Sequence, residues 1–206
     1  MVPLEELIAR DYFERNGFYL KRIHLPPQPD GRKTKNPIPT PPTYLLQRET
    51  GRTKNEPLAD RFQLFSSDVS GLAIATLTLV PWYGSGMTMP IFQSPTRYRS
   101  WIRNTIVPAL EYTQVELQKV PAPAQPLPMV LLPGLPAQDP QRKESIGLLR
   151  NAGIQAAFTV RTLLESLIQQ LDSTPDAPDS AVTEILRTLK TYGLISPPQL
   201  DLFEDL

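Results

Sequence analysis

The sequence predicts an α/β protein, a mixed β-sheet with helices flanking it. Three observations point there. Residues 72–80 form an apolar, β-branched run that halts at Pro81, as a buried central strand must, since proline has no N–H to give to a ladder. Two later stretches read as strand followed by helix, an order that favours parallel pairing through helical crossovers. The 24 prolines in 206 residues far exceed the usual frequency of about 5%, but they cluster, so they mark long loops in a folded chain.

Composition narrows the chemistry. A chain of 206 residues can bury a sizeable core, and the expected division is a main domain over 1–172 with a C-terminal helix and tail over 173–206. The 21 basic and 21 acidic residues cancel, so there is no global attraction to nucleic acid. With no cysteine and His24 as the sole histidine, disulfides, thiolate catalysis and Cys/His zinc sites are excluded. No apolar run nears the roughly 20 residues of a membrane span and no signal peptide opens the sequence, so a cytoplasmic protein with no membrane partner is expected.

Taken in order, residues 3–16 read as an amphipathic helix, with Leu4, Leu7, Ile8 and Tyr12 opposite Glu5, Glu6, Arg10 and Glu14, and Gly17 suits its C-terminal end. Residues 18–25 read as a strand in which Lys21, Arg22 and His24 interleave with apolar residues. A proline-rich loop follows over 26–42, then a short strand over 44–48. Residues 62–65 are expected to lead into the central strand at 72–80.

The segment after Pro81, WYGSGMTMP, reads as a flexible connection. A helix is expected over 96–119, with Tyr98, Trp101, Ile102, Ile106, Leu110 and Val115 at helical spacing and a kink at Pro108. Trp101 and the Tyr98/Tyr112 stripe read as core. Residues 121–128 read as a linker, 129–132 as a buried strand, 143–151 as a helix closed by Gly153, 154–160 as a strand and 161–171 as a helix. A second proline-rich break at 173–179 precedes a last helix over 181–192 and the tail SPPQLDLFEDL.

This order of elements resembles the restriction endonuclease-like, PD-(D/E)xK, superfamily. The opening LIARDYFERNGFYL, the pair LFSSDVSGL and LTLVPW, and the later VLLPGLP and GIQAAFTVRTLLESLI resemble small bacterial members of it across most of residues 4–171. The resemblance implies a three-layer fold with a mixed sheet. It also implies a metal site of an acid followed by a Glu-x-Lys triplet, in which carboxylates hold Mg²⁺ and the lysine stabilises charge on the phosphate. Carried over by position, the acid falls on Asp68, the Glu on Thr78 and the Lys on Val80, while Trp82 is retained. Threonine is no substitute for a hard anionic ligand and valine has no donor. The resemblance therefore implies a catalytically degenerate nuclease fold with no metal and no confident catalytic residue, Asp68 being a remnant. In the alternative, a divergent Mg²⁺-dependent nuclease, Glu14 or Glu111 supplies a migrated carboxylate. Asp68 has a plainer reading too, as the cap of a turn with Ser66, Ser67 and Gly71.

Two further features suggest partners. Arg32, Lys33, Lys35, Arg48, Arg52 and Lys54 outweigh the nearby acids Asp30, Glu49 and Glu56, which makes them candidate contacts to nucleic acid, against a plainer role as solvated loop charges. Gln199, Leu200, Asp201, Leu202 and Phe203 resemble the pentapeptide with which bacterial replication and repair proteins dock on the sliding clamp, where apolar anchors enter a pocket. His24 reads as a structural or surface histidine, and Gly84 and Gly86 do not make a dinucleotide fingerprint. The expected function is a DNA-associated binding or scaffold protein, with DNA contacted non-specifically. A protein-only interaction module is the third reading.

Overall fold

The computed structural model describes residues 3–27, 40–51, 54–57, 61–120, 126–171 and 180–195. Its centre is β3 (Ile74–Leu79), every residue of which is buried. The sheet order is β1 (Phe18–Ile23), β2 (Thr43–Arg48), β3, β4 (Leu127–Leu132), β5 (Ala156–Thr159). β1, β2 and β3 pair antiparallel, whereas β3, β4 and β5 pair parallel, so the sheet is mixed as expected. A strand covered on both faces reads as a continuous apolar run instead of an alternating one, and that is why 72–80 is legible.

Helices cover both faces. On one side lie α1 (Leu4–Arg15), α6 (Val160–Gln170) and α7 (Ala181–Thr191), whose Tyr12, Phe13, Leu163, Leu167 and Val182 share a core with Leu77, Leu79 and Phe158 of the sheet. On the other lie α3 (Pro95–Trp101), α4 (Val107–Leu117) and α5 (Gln141–Asn151), where Trp101, Ile106, Leu110 and Leu149 pack on Val80, Val130 and Leu132. Both crossovers, β3 to β4 and β4 to β5, therefore run over the same face. α7 is tied to α1 by Thr183, whose hydroxyl donates to Asp11 at 3.1 Å while Asp11 pairs with Arg15 at 3.0 Å.

Several local expectations are corrected. The helix expected over 96–119 is divided: α3 passes into a π-helical turn, Ile102–Ile106, before α4. Pro108 has no N–H to return to the preceding turn, and the strain is taken up by widening that turn. The connection read as flexible contains a short helix, α2 (Met89–Phe92), with Pro90 in its first turn. Residues 62–65 do not run straight into the central strand. Phe62 and Leu64 exchange backbone hydrogen bonds with Ala157 of β5, at the opposite edge, and the chain returns through a 3-10 helix, Ser66–Gly71. Tyr112 is not core; it is partly exposed and its hydroxyl donates to the carbonyls of Pro26 and Pro27, at 3.1 and 3.2 Å. β4 begins earlier than expected and admits Pro128 near its entrance.

Candidate functional site

The residues onto which the resemblance carries a nuclease centre lie around β3. Alternation along the strand puts Leu77 and Leu79 in the α1–α6 core and turns Thr78 and Val80 to the α3–α4 side. Thr78 is 0% exposed and Val80 2%. The Thr78 hydroxyl meets that of Thr43 at 3.3 Å.

Asp68 lies on the other side of the sheet. It belongs to the 3-10 helix that packs on α6, and its neighbour Val69 enters the α1–α6 core. The Asp68 carboxylate accepts the Phe65 N–H at 2.8 Å, and the Asp68 N–H returns to the Phe65 carbonyl at 3.1 Å. That is a helix-start cap, which accounts for an acid here without a metal. The sheet thus separates Asp68 from Thr78 and Val80. The candidate substitute acids do not converge either. Glu14 is exposed on α1 and paired with Arg10 at 3.1 Å, and Glu111 is exposed on α4, on the opposite layer. Among the described residues no three His, Asp or Glu side chains are grouped as a metal would need.

The basic candidates fare unequally. Arg48 donates to the carbonyls of Leu72, Val69 and Ser70, at 2.8, 2.6 and 3.3 Å, and lies 4.6 Å over the Phe18 ring. Its guanidinium closes the end of the 3-10 helix and joins it to β2, so its donors are engaged within the fold. Lys54 is exposed beside Asn55. Asn55 itself accepts from the N–H groups of Ala73 and Ile74 and donates to the Ile74 carbonyl, pinning the entrance of β3. Arg32, Lys33, Lys35 and Arg52 lie outside the described residues, as do Gln199, Leu200, Asp201, Leu202 and Phe203.

A cleft of about 1160 Å³ opens between the sheet and the C-terminal end of α4. Its floor is the row Lys21, Leu45, Thr76 and Pro128, residues paired with one another across β1 to β4. Gln114, Leu117, Gln118 and Val120 make one wall, and His24 and Gln155 border it. Arg22 also borders the cleft, although strand alternation carries its side chain to the Tyr44 side of the sheet. Among the described residues no Asp or Glu lines this cleft; its charged group is Lys21, beside the amides of Asn55, Gln114, Gln118 and Gln155. The stem of the proline-rich loop stands at its rim, where Tyr112 holds Pro26 and Pro27 on α4 and the Thr40 hydroxyl reaches the Pro26 carbonyl at 3.4 Å.

A second cavity, about 310 Å³, lies at the carboxyl ends of the parallel strands between Trp82, Pro133 and α6. That is the usual ligand end of such a sheet. Its charged groups are already committed: Glu5 accepts the Trp82 N–H at 2.7 Å, and Arg161 pairs with Glu165 at 2.6 Å. The larger cleft is the better candidate. Sequence reasoning noted the basic residues of β1 but did not bring in Gln114, Gln118 or Gln155, because residues this far apart in sequence meet only once α4 has crossed the sheet.

No protein-family model, curated protein or solved structure matches the chain. No helix among the described residues is long and apolar enough to cross a membrane.

Proposed function

We propose that this chain is a restriction endonuclease-like protein without a working nuclease centre, acting as a DNA-associated binding or scaffold factor in a bacterial cytoplasm. The observation that carries the reading is the fate of the metal positions. Thr78 and Val80 are sealed in the core on one side of the sheet, while Asp68 caps a turn on the other. A nuclease needs its carboxylates within about one ion's reach of each other and open to a phosphate. This arrangement offers neither, so binding without cleavage and without a metal cofactor is the function proposed.

The contact residues in this reading are Lys21 and His24 of the cleft, whose described lining holds no acid, together with Lys54 and the loop charges Arg32, Lys33, Lys35 and Arg52. Among the described residues no helix projects from this surface to enter the major groove of a duplex, so recognition of a duplex is of phosphate charge and carries little sequence preference. The C-terminal Gln199–Phe203 segment would bring the protein to DNA through the sliding clamp.

The test is a titration of the full-length protein against fluorescent nucleic acid at several salt concentrations. The expected result is binding whose log affinity falls with log salt, by about 0.9 per duplex phosphate neutralised. Replacing Arg32, Lys33 and Lys35 together by Ala flattens that slope. Affinity and slope both unchanged by the triple replacement would assign the loop to solubility alone. Absence of binding at low salt would leave the protein-only reading.

A further inference from the structure

We infer that the cleft, continued by the open outer face of β1 and β2, takes single-stranded nucleic acid in preference to duplex, with Tyr19 as a stacking platform and Lys21 as a phosphate contact. This deepens the nucleic-acid reading above and rests on it. β1 is the edge strand of the sheet, and its alternation puts Tyr19, Lys21 and Ile23 on one face. Their cross-strand partners are Gln47, Leu45 and Thr43. Tyr19 is 64% exposed and Lys21 and Gln47 are also exposed.

The chemistry of the surface separates the two forms of nucleic acid. A duplex shows its phosphates outward and keeps its base faces stacked inside, so it can use cations but gains nothing from an aromatic ring or an apolar floor. Here both are present. Tyr19 stands free for stacking, and Ile23, Leu45, Leu117 and Val120 give the cleft an apolar lining beside Lys21 and His24. Neither Lys21 nor His24 forms an ion pair with a described residue, and among the described residues no carboxylate lines the cleft to repel phosphate. Stacking aromatics beside a positively charged groove are the recurring means of holding single strands without sequence preference.

Two details of the wall fit an unpaired base. The amide nitrogen of Gln114, a residue of the wall, is buried and makes no hydrogen bond, and a rotation of its side chain would present that donor to the cleft. Gln118 and Gln155 add amides that can both donate and accept at base edges, which are open in a single strand. The volume, about 1160 Å³, exceeds the roughly 300–1,000 Å³ of ordinary small-molecule sites, so the space suits a short run of nucleotides.

The experiment compares a labelled oligothymidylate of about a dozen nucleotides, within the ~4–16 typical of single-strand sites, with a duplex of equal length. Fluorescence anisotropy is read with the full-length protein at low salt. The expected result is at least tenfold tighter binding of the single strand. Tyr19→Ala should weaken it about fivefold to a hundredfold, as loss of one stacked base does, and leave duplex binding nearly unchanged. Lys21→Gln should flatten the single-strand salt slope by about 0.7. Tyr192→Ala, at an exposed tyrosine that follows the last residue of α7 in the opposite layer, is the control and should change nothing. Both tyrosines are exposed, so the variants should fold, and circular dichroism verifies it. Duplex bound as tightly as single strand, or Tyr19→Ala without effect on the single strand, or an equal loss with Tyr192→Ala, overturns the inference and leaves the broader nucleic-acid reading standing. Binding of neither form overturns both.

Discussion

The hydroxyl of Thr78 lies 3.3 Å from that of Thr43, across the β2–β3 ladder and wholly out of solvent. In the reading proposed above, Thr78 stands where a metal-binding glutamate would be, and it makes a neutral hydrogen bond there. Thr43 also donates to the Pro41 carbonyl at 3.2 Å, so it keeps a partner if Thr78 is changed. Thr78→Val should therefore cost less than about 1 kcal/mol, since replacing a buried hydroxyl by a group of the same shape is nearly neutral when its partner stays satisfied. Thr78→Glu should cost about 3–5 kcal/mol or prevent folding, because it buries a carboxylate with no cation beside it. Urea denaturation of the two variants checks this. A well-folded Thr78→Glu protein that Mg²⁺ stabilises would contradict the account.

Arg48 shows how a site-like residue can serve the fold. Removing its guanidinium strands the Leu72 carbonyl, leaves the Val69 carbonyl with the Leu72 N–H alone and opens the face of Phe18. Arg48→Ala should destabilise the protein by about 2–4 kcal/mol, combining the loss of charge-assisted hydrogen bonds and of ring contact. Arg48→Lys should recover little, as an ammonium cannot reproduce the fork across two carbonyls. Thermal unfolding of both variants measures this, and a Lys variant as stable as the parent would show that charge alone suffices.

The central strand, the mixed sheet and the helices on either side were legible because their signals are local: an apolar run for β3, strand-then-helix order at β4–α5 and β5–α6, prolines between elements. The face of α1 was not, since Leu4 and Leu7 are exposed and Glu5 and Glu6 buried. What was not legible depends on contacts between distant residues. Nothing near Phe62 reveals that its carbonyl will accept the Ala157 N–H of β5 at 2.8 Å. The π-turn at Ile102–Ile106 follows from Pro108, but a proline signals a disturbance without fixing whether the helix bends or widens. Asp68 was open to two readings, metal ligand or turn cap; the structure places it on the Phe65 N–H. The cleft was the least legible part, since strand alternation in FYLKRI shows which residues share a face but not that α4 stops short of covering it.

Alkaline pH should expose the buried tyrosines. Burial raises the phenol pKa values of Tyr12, Tyr44 and Tyr98 above their ordinary value, and the neighbouring Glu6 raises that of Tyr44 further. Their folded forms hold the proton longer than the unfolded chain, which releases it near pH 10. The sign follows: stability is fully present below about pH 10 and declines above it, by up to about 1.4 kcal/mol per pH unit for each such tyrosine. Tyr98→Phe, which also gives up the bond to the Gly134 carbonyl, should be less stable at neutral pH yet decline less steeply. Denaturation measured from neutral to strongly alkaline pH checks this, and an unchanged slope in the variant would contradict it.

The C-terminal segment offers a partner test independent of the fold. A peptide covering residues 197–206 should bind a bacterial sliding clamp at micromolar strength, about −8 kcal/mol. Leu202→Ala with Phe203→Ala should abolish binding, because apolar anchors carry most of such an interface. Equal binding by the doubly substituted peptide would make the motif a coincidence of composition.

The most direct test is a cleavage assay with Mg²⁺ and with Mn²⁺ on single-stranded and duplex DNA and on RNA, run beside Asp68→Ala. The account predicts that neither protein cuts any substrate, that both bind alike, and that the variant is less stable by about 1 kcal/mol through loss of the Phe65 cap. Metal-dependent cleavage by the parent chain that disappears in Asp68→Ala would contradict it and make this protein a nuclease.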